Sequence, residues 1–383
     1  MPRRIVILGS TGSIGRSTID VIDALGDEYQ FEGLAAGSQW ELLAEQVNRC
    51  RPAAAAIADP AFEARLRAQV NGHTEISSGP AALCELVARP ACDFVVSAIV
   101  GSAGLPATLA AIRAGRNVGL ANKEALVAAG AVLIPEARRT GARILPIDSE
   151  HSAIFQAMQA GRRQEVRCVY LTASGGPFRT WSREQLESAT PQDALQHPTW
   201  NMGPKITVDS ATMMNKALEI IEATWLFDLN PADIQVLVHP ESIVHSMVEF
   251  CDGSIIAQMG SPDMRTPIQY ALSYPQRLPG CGQRLDLASM RRLHFEPPDL
   301  DRFPALRLGY EAAERRGTAG AALNGANEEA VAAFRAGKLR FSDITRVVEV
   351  ALGGHPFVAH PSLEDVQRVD AWARSEVARC LKA

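Results

Sequence analysis

The chain predicts an α/β fold: a parallel sheet flanked by helices, then a mixed α+β unit, then a helical unit. Three observations carry this. Over residues 1–147, short apolar runs alternate with amphipathic stretches. From about residue 150 the alternation gives way to mixed elements, with a hairpin signal at Asp252-Gly253. After a Pro-rich stretch, residues 319–335, 343–352 and 363–381 have helical spacing.

The segments 5–8, 31–36, 54–57, 94–99, 117–120 and 143–147 predict strands, because each is a short apolar run of strand length. Between them, 17–25, 40–49, 61–70 and 105–114 have the spacing of amphipathic helices, which places helices on both faces of a parallel sheet. In the middle unit, 206–208 predicts a short strand, with Ser210 capping a helix over 211–225. Strands follow at 236–238, 243–250 and 254–259. Residues 274–304, with Pro275, Pro279, Pro297, Pro298 and Pro304, predict a linker. Helices at 319–335, 343–352 and 363–381 complete the chain, with Ser342 and Ser362 as caps and Gly353-Gly354 as a stop. The expected domains are 1–148, 149–273 with a loop at about 194–204, and 305–383 after the linker.

Composition excludes several classes. With 47% hydrophobic and 21% charged residues, the 383-residue chain belongs with compact globular proteins of two or three domains. A net charge of −5 has the wrong sign for neutralising nucleic-acid phosphates. No apolar run is long enough to span a bilayer, and the apolar stretch at 5–8 is too short for a signal peptide. Seven scattered cysteines with no C-x-x-C pair argue against a zinc site or disulfide framework, so a cytoplasmic protein is expected.

The first strand runs directly into Gly9-Ser10-Thr11-Gly12-Ser13-Ile14-Gly15 and then a helix. Glycines there let the backbone approach a pyrophosphate seated on the amides of the helix start, so the first unit reads as a Rossmann-like dinucleotide domain. At the end of the second strand stands Gly37-Ser38-Gln39, with no carboxylate to repel a 2′-phosphate and no cation to hold one. That favours NADP over NAD.

Asp148-Ser149-Glu150 ends the strand at 143–147, and in extended geometry its two carboxylates point the same way. Such a pair suits Mg²⁺ or Mn²⁺; alone it is more often a solvated acidic turn. A second cluster, from Asp209 to Glu219, places Asn215, Lys216 and Glu219 on one helical face with Ser210 near its start. Three of these groups can hold a phosphate while Glu219 reaches a metal. Only five of the 38 basic side chains are lysines, and Lys123, Lys205 and Lys216 all fall in such segments. A compact ammonium is therefore being chosen where arginine is the default. Ser174, in the turn 172–178, offers a further anion contact or marks a plain turn. His197 and Trp200 lie in a loop that reads as a lid or as an aromatic anchor. His239 and His245 read as structural.

The segments GSTGSIG, ANKEAL, PIDSEHSAIFQ, ASGGPF, HPTWNMGPKITVDSATMMNKALEIIEA, VHPESIVHSMV and GSPDMRTP together resemble the 1-deoxy-D-xylulose 5-phosphate reductoisomerase family over essentially the whole chain. The resemblance implies NADPH, a divalent ion (Mn²⁺ or Mg²⁺, with Co²⁺ as a further choice), a C-terminal helical bundle and a homodimer formed through the catalytic domain. It implies metal ligation by Asp148, Glu150 and Glu219. Substrate contacts would come from Lys123, Ser149, Glu150, Ser174, His197, Ser210, Asn215, Lys216 and Glu219, under a flap bearing Trp200 and Met202. Cofactor contacts would come from Thr11, Gly12, Ser13, Ile14, Gly37, Ser38, Gln39, Asn122, Glu124 and Gly203. Lys123, Asp148, Glu150 and Glu219 would carry the chemistry. At the position of Ser38, members often have a basic residue. The competing readings are an NADP-dependent sugar-phosphate dehydrogenase without rearrangement, which leaves the three carboxylates idle, and a non-catalytic dinucleotide sensor.

Overall fold

The computed structural model describes residues 2–382. In chain order the first elements are β1 (Arg3–Leu8), α1 (Ser13–Leu25), β2 (Tyr29–Ala36), α2 (Trp40–Cys50), β3 (Ala54–Ile57), α3 (Glu63–Gln69), β4 (Glu75–Ser78) and α4 (Pro80–Ala88). Then come β5 (Phe94–Ser97), α5 (Leu105–Arg113), β6 (Asn117–Leu120), α6 (Lys123–Thr140), β7 (Ile144–Pro146) and α7 (Ser149–Ala157). The middle of the chain forms β8 (Val166–Ala173), α8 (Arg183–Glu187), α9 (Pro191–Ala194), α10 (Pro204–Ala211), α11 (Met214–Phe227), β9 (Ile234–Val238), β10 (Val244–Phe250), β11 (Ile255–Met259) and α12 (Arg265–Ser273). Helices α13 (Ala305–Arg315), α14 (Ala319–Arg335), α15 (Phe341–Gly354) and α16 (Leu363–Cys380) close it.

These elements form two compact units that are not consecutive blocks of sequence. The first takes the residues up to Ala125, with Leu133–Ser152 and Asp263–Gln283. Its seven described strands form one parallel sheet in the order β4-β3-β2-β1-β5-β6-β7. The chain builds outward from β1 to β4, then returns to β5 on the other side of β1. That reversal opens a crevice at the carboxyl ends of β1 and β5, where ligands of such sheets bind. Strands β3 and β5 are buried along their whole length, as a sheet covered on both faces requires. Helix α12 belongs to this unit because it packs against α1, and the Arg3 guanidinium donates to the Leu272 carbonyl.

The second unit takes Leu126–Val132, Ala153–Pro262 and the chain from Arg284 onward. Its sheet has the order β11-β10-β8-β9, with β8 and β9 parallel and β10 antiparallel to both of its neighbours. The hairpin β10–β11 turns at Asp252-Gly253, where Gly253 adopts φ +85° and Asp252 accepts from the Ser254 amide at 2.9 Å. Helix α14 is the core of the C-terminal bundle: 319–327 are all buried, and α13, α15 and α16 pack around it. Ser362 caps α16 through a capping box with Asp365. Between 274 and 304 only one bridge forms among the described residues, Val238 with Glu296. Among the described residues, no helix is long and apolar enough to cross a membrane.

Several expectations are corrected. The run Ile206-Thr207-Val208 is β-branched but lies inside α10, which begins with Pro204 as its first residue and buries Thr207 and Val208. Ser210 is therefore inside a helix and caps none. The break comes at Met213, whose φ of +61° ends α10 and starts α11. Helix α15 starts at Phe341, one residue before the expected cap Ser342. The sequence reading also passed over β4, α4, α6, α7, β8, α8, α9, α12 and α13. Strand β4 (EISS) is a polar edge strand with no apolar run, and α6 contains Gly130 and Pro135 and loses helical geometry at Ala129.

Candidate active site

The glycine-rich loop in the first unit is shaped by close backbone contacts. A Cβ on Gly9, at φ +82°, would lie 2.6 Å from the Ala98 carbonyl oxygen, and one on Gly15 would lie 2.2 Å from the Gly9 oxygen. Helix α1 thus starts hard against the loop. Its N-cap is Gly12, which has no side chain to cap the first-turn amides, so they remain available to an anion. Two clamps hold the loop. The Gly9 and Ser10 amides donate to the Ala35 carbonyl at the end of β2 (2.9 and 2.8 Å). The Ser10 hydroxyl donates to Gln46 Oε1 at 2.7 Å while Gln46 Nε2 donates to the Ser10 carbonyl at 2.9 Å. Thr11, Ser13 and Ile14 line this turn, and Gly37, Ser38 and Gln39 form the exposed exit of β2 into α2.

At the neighbouring strand ends, Asn122 caps α6 by accepting from the Ala125 amide at 3.2 Å, and its Nδ2 donates to the Gly101 carbonyl at 3.0 Å. The next two residues, Lys123 and Glu124, are both buried. Lys123 forms an ion pair with Asp148. Burial works to raise the Asp148 carboxyl, but Lys123 and then His151, whose Nδ1 lies 3.9 Å away, hold it well below the usual carboxylate range. The expected extended geometry at 148–150 does not persist. The Asp148 carbonyl already accepts from the Ser152 amide at 2.8 Å, so Asp148 sits at the start of α7 and Glu150 in its first turn. Both acids gain from the helix dipole there, and Ser149 donates its hydroxyl proton to Glu150.

In the second unit, Ser174 follows β8 in a turn where Gly175 and Gly176 adopt φ +84° and +68°. The Gly176 amide donates to Ser174 Oγ at 3.2 Å, and a Cβ on Gly176 would lie 2.4 Å from the Ser210 carbonyl oxygen. The turn and α10 are thus in backbone contact. Ser174 Oγ lies 2.9 Å from His197 Nε2, and His197 Nδ1 accepts from the Thr199 and Trp200 amides (3.1 and 2.9 Å). Those two donors fix the proton on Nε2, which donates to Ser174. Burial pushes the His197 pKa down to about 4. Trp200 is half-buried with its ring 6.2 Å from that of His245, in a stretch with no helix or strand. Met202 is half-buried, and the exposed Gly203 is the N-cap of α10. On α11, Asn215 Nδ2 donates to Glu219 Oε1 at 2.5 Å and Lys216 pairs with Glu219 Oε2, as the spacing predicted. His239 is structural: Nε2 accepts from the Ile243 and Val244 amides at 3.2 and 3.1 Å.

Two contributors escaped the sequence reading. Gln46 lies on the same buried face of α2 as Leu43, Ala44 and Val47, and an uncharged polar residue among core positions was the available signal. His151 is fully buried beside Asp148, and nothing in its local sequence marks it as a site residue.

A parallel α/β sheet with an open glycine-rich helix start, and a unit concentrating hydroxyl, amide, ammonium and carboxylate groups, define a dinucleotide-dependent oxidoreductase of an anionic substrate. Models of known families agree. The 1-deoxy-D-xylulose 5-phosphate reductoisomerase model matches residues 5–130, its C-terminal domain matches 144–227, and the DXP reductoisomerase C-terminal domain matches 259–376. The chain belongs to the 1-deoxy-D-xylulose 5-phosphate reductoisomerase family. It is 51% identical over 375 residues to the enzyme of that name from Pelotomaculum thermopropionicum, covering 97% of each chain. To that from Rhodospirillum centenum it is 52% identical over 373 residues, covering 97% of this chain and 92% of the relative. Among solved structures, the Zymomonas mobilis enzyme in complex with NADPH superposes with a TM-score of 0.94 at 46% identity, covering all of both chains. A DOX-P reductoisomerase in complex with NADPH, fosmidomycin and magnesium gives 0.95 at 41% identity, covering 99% of this chain and 98% of that one.

Proposed function

We propose that this protein converts 1-deoxy-D-xylulose 5-phosphate into 2-C-methyl-D-erythritol 4-phosphate, using NADPH and a divalent metal ion. The observation that carries the reading is the α11 face, where one carboxylate, Glu219, is held by an ammonium and an amide within a single turn. Such a face handles a phosphate and a cation together, and full-length family membership supplies the reaction.

The residues fit both groups. The uncapped amides at the start of α1 suit a pyrophosphate. Asp148, kept anionic by Lys123, and Glu150 in the first unit, and Glu219 in the second, each offer carboxylate oxygens of the kind hard divalent cations take. When bound, the ion would polarise the substrate carbonyl and stabilise the negative charge of the rearrangement, and NADPH would supply the hydride that reduces the resulting aldehyde.

The chain's own residues do the rest. Ser174, Ser210, Asn215 and Lys216 hold the phosphate, with His197 orienting the Ser174 hydroxyl through its Nε2 proton. Ser149 and Lys123 meet the sugar hydroxyls, and Lys123 Nζ offsets the anionic charge of the carboxylates around the reacting carbons. The 194–204 loop, carrying Trp200 and Met202, excludes water once the phosphate is seated. Thr11 to Ile14, Asn122, Glu124 and Gly203 bind the nicotinamide cofactor, and Gly37, Ser38 and Gln39 take its 2′-phosphate end. Exposed Ile255, Ile256 and Met259 on β11, an edge strand of its sheet, support a homodimer joined along that edge. All seven cysteines, each among the described residues, are unpaired, which suits the cytoplasm.

The test supplies 1-deoxy-D-xylulose 5-phosphate, NADPH and Mn²⁺ and follows loss of NADPH absorbance with and without chelator. A branched, metal-dependent product supports the reading. An unbranched polyol phosphate assigns the simple dehydrogenase instead, and cofactor binding without turnover assigns the sensor.

A further inference from the structure

Three of the five lysines, Lys123, Lys205 and Lys216, are each paired with a carboxylate. Two of these pairs belong to the proposed reaction site. The third joins Lys205 Nζ to Asp209 Oδ2 at 2.8 Å within α10, and the other oxygen of Asp209 accepts from Asn327 Nδ2 on α14, also at 2.8 Å. Asp209 and Asn327 are fully buried, and the Lys205 side chain is 16% exposed. The carboxylate is thus pinned from two elements at once.

Helix stability does not account for this pair. Lys205 stands in the first turn of α10 and Asp209 near its end, the orientation the helix dipole disfavours. Burying two charges is also costly, and apolar residues of similar size generally stabilise as well or better. Asn327 leaves its own Oδ1 buried without a partner, an orphaned acceptor tolerated so that Nδ2 can face Asp209. A device that costs stability on both sides of the contact fits a role in placement.

What it places follows from the chain on either side. Lys205 comes two residues after Gly203, where the 194–204 loop ends. Asp209 immediately precedes Ser210, whose carbonyl lies against Gly176 in the Ser174 turn. Any rotation of α10 about its axis would move the loop exit, the Ser210 hydroxyl and the Ser174 turn together.

We propose that Asp209, held by Lys205 and Asn327, is a positioning residue that locks α10 against α14 and so fixes Ser210 and the exit of the loop for the substrate phosphate. The proposal rests on Ser210 being a phosphate contact, as read above. Asp209 itself touches neither substrate nor cofactor.

The experiment measures KM and kcat for 1-deoxy-D-xylulose 5-phosphate, KM for NADPH and thermal midpoint for Asp209→Asn, Lys205→Gln, their double variant and Ser210→Ala. Asp209→Asn is expected to raise the substrate KM about tenfold, with kcat and the NADPH KM within about twofold, because a lost placement of the phosphate weakens ground and transition states alike. Lys205→Gln, at the less buried end of the pair, is expected to move the same constant in the same direction, and it tests the proposal alone if the first variant does not fold. The double variant is expected to be no worse than Asp209→Asn, as one shared interaction requires. A substrate KM unchanged in both single variants, or a fall in kcat and thermal midpoint at constant KM, overturns the positioning role. Should Ser210→Ala raise the substrate KM while the other variants are silent, only this proposal fails. Should Ser210→Ala be silent too, the phosphate assignment beneath it fails as well.

Discussion

Lys216 and Glu219 form a buried ion pair one turn apart on α11, and Asn215 donates to the other oxygen of the same carboxylate. Both partners are almost fully buried, at 3% and 1% side-chain exposure. In the proposed reaction the pair would do two jobs: keep an anionic ligand ready for a cation, and keep an ammonium in place for a phosphate. Removing Lys216 takes the counter-charge from a buried carboxylate that Asn215 still donates to. Lys216→Met is expected to destabilise the metal-free protein by about 3–5 kcal/mol, the usual cost of breaking a buried pair. Added Mn²⁺ should recover part of that loss, because an ion bound only by the folded state stabilises it. Urea denaturation with and without the ion measures both effects. An unchanged midpoint would show that Glu219 does not need its partner.

Glu219→Gln separates the two jobs. The amide keeps the shape and accepts from Lys216, but it is a poor ligand for a hard cation. NADPH binding, for which no residue of α11 is proposed, is expected to stay within about twofold, while metal-dependent turnover falls at least about a hundredfold. Cofactor fluorescence and steady-state rates read the two quantities separately. Full turnover in this variant would remove Glu219 from the metal site.

His197 gives the pH dependence. Its Nδ1 accepts two backbone amides of the loop, so a proton there would break both hydrogen bonds. Burial holds its pKa at about 4 against an ordinary value of 6.5. Between those values the unfolded chain binds the proton and the folded one does not. The contribution of His197 to stability is therefore complete above about pH 6.5 and is lost as pH falls toward about 4. An NMR titration is expected to find the ring neutral, with the proton on Nε2, at pH 6. In His197→Leu that part of the acid sensitivity should disappear, and the substrate KM should rise because Ser174 loses its donor. A ring half-protonated near pH 6.5 would contradict the burial argument.

The sequence made some of this legible and hid the rest for identifiable reasons. The glycine loop after β1 and the Asn215–Lys216–Glu219 face were readable because strand-loop-helix order and helical spacing are local. Asp148-Ser149-Glu150 was misread as extended because acidic residues suit a strand end and a helix start alike. Only the Ser152 amide on the Asp148 carbonyl decides between them. The run Ile206-Thr207-Val208 has strand propensity, but tertiary packing overrode it: Pro204 starts a helix and Thr207 and Val208 are buried within it. Gln46 and Asn327 were illegible as site residues because their partners lie 36 and 118 positions away.

Gln46 supplies the last test, since it acts on the cofactor loop alone. Its side chain makes both hydrogen bonds to Ser10, and all the atoms concerned are buried. Replacing it with leucine fills similar volume but leaves the Ser10 hydroxyl and carbonyl without those partners. Each buried group so stranded costs about 1–3 kcal/mol, so the loop should relax to pair them elsewhere rather than keep the pyrophosphate geometry. Gln46→Leu is expected to raise the NADPH KM about tenfold or more while leaving the substrate KM within about twofold, because none of the residues proposed above to hold the phosphate is changed. Gln46→Glu keeps an acceptor for the Ser10 hydroxyl but turns a carboxylate toward the Ser10 carbonyl, and should be at least as damaging. Titration of NADPH by fluorescence, with the thermal midpoint as control, measures the effect. An unchanged NADPH affinity in Gln46→Leu would mean that the glycine turn and the Ala35 clamp hold the loop unaided.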